Sequence, residues 1–363
     1  MALFVAIIVL FLLIIAAMGI YILKRYYKLP LIKQIKSKSL STLIKILPIM
    51  ILIISLFKAR INTIIVLMHL FVFMIIIDLL SVIIMKISKK KVNKTIGFVA
   101  AIVITTLYLS YGYYSAHHVV KTNYIVKTKK DIKKNNFRIA QISDSHIGAT
   151  MNGDDFIKYM NKINKLNPDI VVITGDFVDD DTTYKDMIKS CKGLGNLKTK
   201  YGVYFIYGNH DKGYYNSRNF DNDDLQKELK KNNVIILEDE IYELPNNIVI
   251  VGRKDSQDTS RESIKELTKN INKDKYILTL DHEPNDYDNE LKAKVDLVLS
   301  GHTHGGQMIP IGNLGVILGI NDKTYGIEER NNTTFIVSSG ISDWAIDFKT
   351  GTISEYVIID LKK

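Results

Sequence analysis

Residues 170–179 read Ile170-Val171-Val172-Ile173-Thr174-Gly175-Asp176-Phe177-Val178-Asp179, and the break at Gly175 decides the fold. Five β-branched residues make a run of strand length, and a glycine followed by two acidic residues closes it. The pattern recurs on both sides. Runs at Arg138–Ile142, Val203–Tyr207, Val234–Leu237, Ile248–Val251, Tyr276–Leu280, Val295–Leu299 and Thr334–Val337, with a last near Tyr356–Asp360, are separated by polar or helix-like stretches. Helix-like segments include Asp155–Leu166, Tyr184–Leu194, Asp223–Lys231 and Arg261–Asn272, with Asp154 and Ser260 placed as N-caps. Such alternation predicts an α/β domain from residue 137, with layered sheets covered by helices.

The polar clusters closing these runs carry the chemistry. They are Asp144-Ser145-His146, Gly175-Asp176-Phe177-Val178-Asp179, Gly208-Asn209-His210-Asp211, Asp281-His282-Glu283-Pro284 and Gly301-His302-Thr303-His304-Gly305-Gly306-Gln307. Loops at the carboxyl ends of strands converge on the ligand site in layered α/β folds, so five loops can deliver side chains to one place. Of eight histidines in the chain, these clusters hold five, and the other three, His69, His117 and His118, fall in or beside apolar stretches. Singly, each cluster is weak: Asp-x-His arises by chance in roughly one chain in three of this length, and Gly-Asp-x-x-Asp suits a turn. Their recurrence in order, each after a strand, is not what packing alone would produce. Imidazole and carboxylate donors without thiolate suit Mn, Fe, Zn or Co, and two divalent ions held close together need a shared anionic ligand.

The ordered set Asp144-x-His146, Gly175-Asp176-x-x-Asp179, Gly208-Asn209-His210-Asp211, His282 and Gly301-His302-x-His304 resembles the calcineurin-like metallophosphoesterase superfamily. The motifs around His282 and after His304 resemble its bacterial membrane-linked branch. The resemblance covers residues 137–361 and implies a four-layer α/β/β/α sandwich with two mixed sheets. It implies two divalent ions (manganese first, with iron or zinc as alternatives), one held by Asp144, His146, Asp176 and His304. The second would be held by Asp176, Asn209, His282 and His302, with Asp176 bridging. His210 would not be a ligand but would sit beside the phosphate, and Asp179 would accept from its other ring nitrogen. Asp211 is expected to hold its loop. A water shared by the ions and acidified by them would attack phosphorus in line, with His210 protonating the leaving oxygen. In the turn Val337-Ser338-Ser339-Gly340 this chain has serine where related sequences often carry arginine.

The N-terminal third is a different material. Residues 1–136 carry 20 Lys and Arg against Asp78 and Asp131, a net of +18, while the remainder carries 28 against 36, a net of −8. The pI near 9.2 and the mean hydropathy of +0.06 are therefore averages over two unlike parts. The basic residues flank apolar runs instead of forming a soluble basic face, so nucleic acid is not an expected partner. Apolar stretches at Ala2–Leu23, Leu40–Phe57, Ile61–Met85 and Ile96–Tyr114 are each close to the ~20 residues that cross a bilayer. The first lacks the basic leader and the short apolar run of a cleaved signal peptide, so it is expected to be retained. The organisation expected is a transmembrane region of about four helices over residues 1–114, a basic linker over 115–136 and a phosphoesterase domain over 137–363.

Lysine-rich loops after the first and third stretches predict that these loops are cytoplasmic. The chain is then a multi-pass cell-membrane protein with an extracellular catalytic domain. Lys127, Lys129, Lys130, Lys133 and Lys134 oppose this orientation, but they lead into a large domain where the rule weakens. His69 and Asp78 are nine residues apart on the third stretch, do not share a helix face, and are expected to be buried against other spans. The lone Cys191 excludes an intramolecular disulfide and a multi-cysteine zinc site. Membrane attachment favours a phosphorylated substrate that is lipid-linked or part of the envelope. The competing readings are a catalytically inactive phosphoesterase-fold scaffold or receptor, and a transporter with an attached regulatory domain. A scaffold should have lost ligands, and all seven are present.

Overall fold

The computed structural model describes residues 2–213 and 218–363 and falls into two compact units, Met1–Gly112 and Tyr113–Lys363. Residue 1, at the start of the expected membrane region, and residues 214–217, inside the expected phosphoesterase domain, lie outside the described residues.

The first unit is helical: α1 (Ala2–Tyr26), α2 (Pro30–Lys33), α3 (Lys38–Ser88) and most of α4 (Lys94–His117). Among the described residues, α3 and α4 are long and apolar enough to cross a membrane. The second and third expected spans both fall in α3, which is divided into two helices between them by the non-helical backbone of Arg60 (φ 43°), with no longer loop. Leu43, Ile51, Leu79 and Ile83 on α3 stand exposed, an apolar surface unsuited to water. Asp78 and His69 of α3 have partners within the unit. Asp78 accepts from Tyr21 and pairs with Arg25, and His69 is buried with Nδ1 2.8 Å from the Ile65 carbonyl.

The second unit contains two six-stranded mixed sheets. The first has the order β1-β12-β2-β3-β4-β5, with β1 (Val120–Lys127), β2 (Asn136–Ile142), β3 (Ile170–Thr174), β4 (Val203–Ile206), β5 (Val234–Ile236) and β12 (Glu355–Lys362). The second has the order β10-β11-β9-β8-β7-β6, with β6 (Glu240–Glu243), β7 (Ile248–Gly252), β8 (Tyr276–Leu280), β9 (Leu297–Ser300), β10 (Gly326–Arg330) and β11 (Thr333–Val337). Strands β2 to β5 are parallel to one another, as are β7, β8, β9 and β11. One apolar cluster draws side chains from both sheets, including Ile139, Val172 and Ile206 from the first and Ile250, Leu278 and Leu299 from the second. A second joins the first sheet to α5 (Gly153–Asn164), α6 (Tyr184–Gly195) and α7 (Asn222–Lys231). A third joins the second sheet to α8 (Ile264–Thr268) and α9 (Tyr287–Ala293).

Three details differ from the sequence reading. The expected basic linker contains β1, which pairs in parallel with β12 from Val120↔Glu355 to Lys127↔Lys362. Its outward face bears Lys121, Asn123, Ile125 and Lys127 while Thr122, Tyr124 and Val126 turn inward, so a period of two lies beneath the lysines. Asn152, not Asp154, caps α5 by accepting from the Asp154 and Asp155 amides, and Asp154 pairs with Lys189 instead. Ser263, not Ser260, caps the short α8.

Candidate metal centre

The clusters that close β2, β3 and β4 leave one end of the first sheet, and those that close β8 and β9 leave one end of the second. A buried polar cross-link holds the two ends together: the Gln141 amide on β2 donates to the Ser300 carbonyl of β9 (2.9 Å) and to the Thr174 hydroxyl of β3 (3.1 Å). The turns out of β2, β3 and β9 toward this point use unusual dihedrals. Asp144 (φ 51°), His146 (φ 35°), Asp176 (φ 53°), His302 (φ 68°) and His304 (φ 49°) all adopt the left-handed region that side chains disfavour. Gly175 also has a positive φ of 85°, and a Cβ there would come within 2.5 Å of His282 Nδ1, so only glycine fits.

The donor atoms converge in groups. Asp144, His146 and His304 each bring one to within 4.8 Å of the others, as do Asp176, His282 and His302, and also His146, Asp179 and His210. Asp176 Oδ2 lies 3.5 Å from His146 Nε2 and 3.2 Å from His282 Nε2, so this one carboxylate faces both of the first two groups. Asn209 Oδ1 stands 3.0 Å from His302 Nδ1 and 3.2 Å from His282 Nε2. All seven expected ligands are therefore brought together.

The surroundings fix which ring atom is free to bind. His282 Nδ1 is 2.8 Å from the Thr174 carbonyl, which takes its proton and leaves the Nε2 lone pair facing Asp176. His146 Nδ1 donates to Asp179 Oδ2 at 3.0 Å, while the fully buried Nε2 of the same ring has no hydrogen-bond partner. An unpartnered buried nitrogen aimed at a carboxylate is what a cation between them would satisfy. Mixed imidazole, carboxylate and amide oxygen donors suit divalent transition ions, so the residues fit such a group.

The carboxylates and rings shift one another strongly: burial would lower His282, but Asp176 raises it well above its usual value. Burial alone would raise Asp176, but the His282, His146 and His210 rings hold its carboxyl far below the ordinary range. Asp179 is likewise held low, against its burial, by the hydrogen bonds of His146 and His210. Burial, then the neighbouring His282, pull His302 down to about 4, so its ring is neutral, as a ligand requires. His210 is shifted upward: burial opposes its charge, but Asp179 Oδ1, 3.2 Å from Nδ1, and Asp176 outweigh that. Asp211 holds the loops, as expected. Its buried carboxylate accepts from the amides of Asp176 (2.9 Å), Phe177 (2.8 Å), Val178 (3.0 Å) and Gly208 (2.8 Å).

The family's sequence model, described as Calcineurin-like phosphoesterase, matches residues 137–306. An uncharacterized metallophosphoesterase of Aquifex aeolicus is 30% identical over 266 residues, 71% of this chain and 98% of that protein. The chain belongs to the calcineurin-like phosphoesterase family. An uncharacterized metallophosphoesterase of Campylobacter jejuni is also 30% identical, over 73% of this chain and 70% of that protein. A transmembrane protein with metallophosphoesterase domain from Bos taurus is 28% identical over 61% of this chain, and the chain spans 52% of its length. Membership makes the protein a metal-dependent phosphoesterase acting on phosphorylated substrates. The two apolar helices and the relatives named as transmembrane proteins point to membrane association.

Part of this calcineurin-like site escaped the sequence reading, beginning with a second role for the expected Asp179. Asp179 serves His146 as well as His210. Asp343 Oδ1 faces His304 Nδ1 at 3.5 Å and is paired at 2.9 Å with Lys349, both side chains being fully buried. Trp344 lies with its ring centroid 5.1 Å from that of His210. Asp343 and Trp344 sit in the polar cluster after β11, a sixth strand end that the same rule of inspection would have found. Nothing in the local sequence marks Lys349.

Proposed function

We propose that the domain is a four-layer α/β/β/α sandwich whose loops bind two divalent ions and hydrolyse a phosphate ester or pyrophosphate, with a lipid-linked or envelope substrate presented at the outer face of the cell membrane. The carrying observation is the position of Asp176, whose Oδ2 faces His146 Nε2 in one donor group and His282 Nε2 in the other. Asp144, His146, Asp176 and His304 would hold one ion, and Asp176, Asn209, His282 and His302 the other. Manganese is the first choice, with iron and zinc as alternatives. When bound, such a pair acidifies water to a nucleophile near neutral pH and offsets charge on the phosphoryl oxygens.

The chain's own residues do the rest. Asp179 takes the Nδ1 proton of His210, which orients the ring and turns Nε2 outward. The upward shift of His210 favours the protonated form of that ring, the form that can donate to a departing oxygen. Trp344 lies beside this ring, with 5.1 Å between centroids. Lysine-rich loops at 24–38 and 86–94 support a multi-pass arrangement with the catalytic domain outside.

The test uses the full chain in detergent, stripped of metal and refilled with Mn²⁺, with metal content measured beside hydrolysis of chromogenic monoester and diester substrates. Two ions per chain and metal-dependent turnover are expected. Asp176→Asn should lose bound metal. His210→Ala should keep both ions and lose about 10²–10⁴-fold in turnover. A chain that binds no metal would overturn the ligand assignment.

A further inference from the structure

Between the last ligand loop and β10 the chain makes an apolar excursion. Residues 308–321, Met308 to Asn321, contain no charged side chain. The central part holds the short α10 (Leu314–Ile317). Its large side chains face solvent: Ile317 is 76% exposed, Leu318 62% and Ile320 60%, with Ile309, Ile311 and Leu314 also exposed. Single exposed apolar residues need no explanation, but a contiguous group of this size on an aqueous domain marks an interaction surface.

The base of the excursion is fixed to the metal-site loops. Thr303, between His302 and His304, donates to the Thr324 carbonyl at 2.5 Å. The Asp322 amide donates to Pro284, two residues beyond His282, at 2.7 Å. The apolar group therefore rises from the same rim as three of the expected ligands.

The same base is tied to the point where α4 ends. In the last turn of α4, the Ser115 carbonyl accepts from the Ser354 amide at 3.0 Å and the Ala116 carbonyl from the Ser354 hydroxyl at 2.8 Å, while Tyr113 meets Phe348 edge-on. Within that 348–354 segment, the Thr350 amide donates to Gln307 (2.8 Å), and the Thr350 hydroxyl accepts from the Ile309 amide (3.1 Å). So a short series of hydrogen bonds leads from the exit of an apolar helix, ringed by Tyr111, Tyr113 and Tyr114, to the first residue of the excursion. Tyrosines of this kind settle at the lipid headgroups.

We infer that residues 309–320 are a bilayer-docking element, which embeds in the acyl-chain layer of the membrane that anchors the chain and seats the mouth of the metal site at headgroup level. The partner is lipid and not protein, because the uncharged segment is tied by that series to the residues at which the chain leaves its apolar helix. The absence of charge suits insertion into hydrocarbon. The inference rests on the proposed reading of a membrane-anchored phosphoesterase with a bilayer-borne substrate, and it specifies how such a substrate reaches the site.

The experiment uses the full chain reconstituted in vesicles of phosphatidylcholine and phosphatidylglycerol. Cys191 is fully buried, so Ile317→Cys can be labelled selectively with an environment-sensitive dye, beside Lys158→Cys on the exposed face of α5 as a control. Nitroxide groups on the lipid acyl chains should quench the label at 317 severalfold more than the label at 158. An Ile317→Asp/Leu318→Asp variant should lose at least about tenfold in turnover of a long-chain alkyl nitrophenyl phosphate held in the vesicles, since two carboxylates oppose insertion by more than that. Its turnover of a water-soluble nitrophenyl ester should stay within about twofold of the parent, because neither residue belongs to the site. Equal, weak quenching at 317 and 158 would overturn the inference, even if the vesicle-borne ester is hydrolysed and the proposed function stands. Quenching at 317 with no turnover of any vesicle-borne ester would uphold docking and remove the lipid-linked substrate. A label at 317 that escapes lipid quenching but cross-links to a second copy would place a protein on the segment and overturn the lipid assignment.

Discussion

Asp211→Asn tests whether the donor groups depend on one buried carboxylate outside the ligand set. Its two oxygens accept from four backbone amides, Oδ2 from Asp176 and Gly208 and Oδ1 from Phe177 and Val178. An asparagine keeps one oxygen and turns an NH₂ toward the other pair of amides, so two bonds are lost whichever way it rotates. Bonds to a charged acceptor contribute about 1.5–3 kcal/mol each, giving about 3–6 kcal/mol in all. Burial and then the neighbouring Asp176 push Asp211 up to about 6, so removing its charge returns part of that loss and favours the lower end. At about 3 kcal/mol, and ~2–4 °C per kcal/mol for a domain of this size, the melting temperature should fall by roughly 6–12 °C. The assay is thermal unfolding of the full chain at pH 8, where Asp211 is ionised, followed through the single Trp344 beside His210. Metal affinity should fall together with stability, because the clamped amides belong to Asp176, to the two residues after it and to the residue before Asn209. A variant that melts within about 1 °C of the parent and binds metal equally well would refute the clamp, since surface changes fall in that range.

His210→Gln, which keeps a polar side chain but no ionisable ring, should lose about 10²–10⁴-fold in kcat with unchanged metal content; equal metal loss would make His210 a ligand instead. Burial, with the hydrogen bond and charge of Glu283, pushes Asp255 up to about 7. The folded protein therefore binds more protons than the unfolded chain between about pH 4 and 7, and this contribution to stability is present below that window and lost as pH rises through it. Asp255→Asn should accordingly show a shallower fall in melting temperature from pH 5 to 8 than the parent, and an identical fall would refute the assignment. In the helical unit, Asp78→Leu leaves Arg25 unpaired and should reduce the yield of monodisperse protein. The double change Arg25→Leu/Asp78→Leu should recover it, because the penalty is that of a lone charge.

The interior strands were legible from sequence because β-branched runs such as Ile170–Thr174 and Tyr276–Leu280 are buried on both faces and interrupted by nothing. The three strands that were not, β1, β6 and β10, lie at sheet edges. Edges carry charge to discourage pairing with another chain, and Lys121, Glu240, Glu243 and Arg330 accordingly hide the period of two that would have revealed them. The same distinction holds in the site. Every expected ligand had a local mark, a polar residue directly after an apolar run. Asp343 had such a mark after β11 and was overlooked. Lys349 had none, since its meaning comes only from the fold that brings it to Asp343.

Left-handed backbone at Asp144, His146, Asp176, His302 and His304 explains why the site needs more than its ligands. At about 1–3 kcal/mol for each such residue, the five together cost on the order of 5–15 kcal/mol, as much as the net stability of a whole domain. Packing in the strands is remote from these loops and cannot choose their dihedrals. The restraint has to be local, and the structure supplies it by crossing from loop to loop. The Asp144 amide is bonded to Gly175, the His146 amide to Asp176 and the His302 amide to Asp144, while Asp211 grips the loops of β3 and β4 together. Asp144, His146, Asp176 and His302 are thus each held by a strand end other than their own. Loosening one loop therefore releases the others, and the donor groups should lose affinity for the two proposed ions together when the clamp is cut, not one ion at a time.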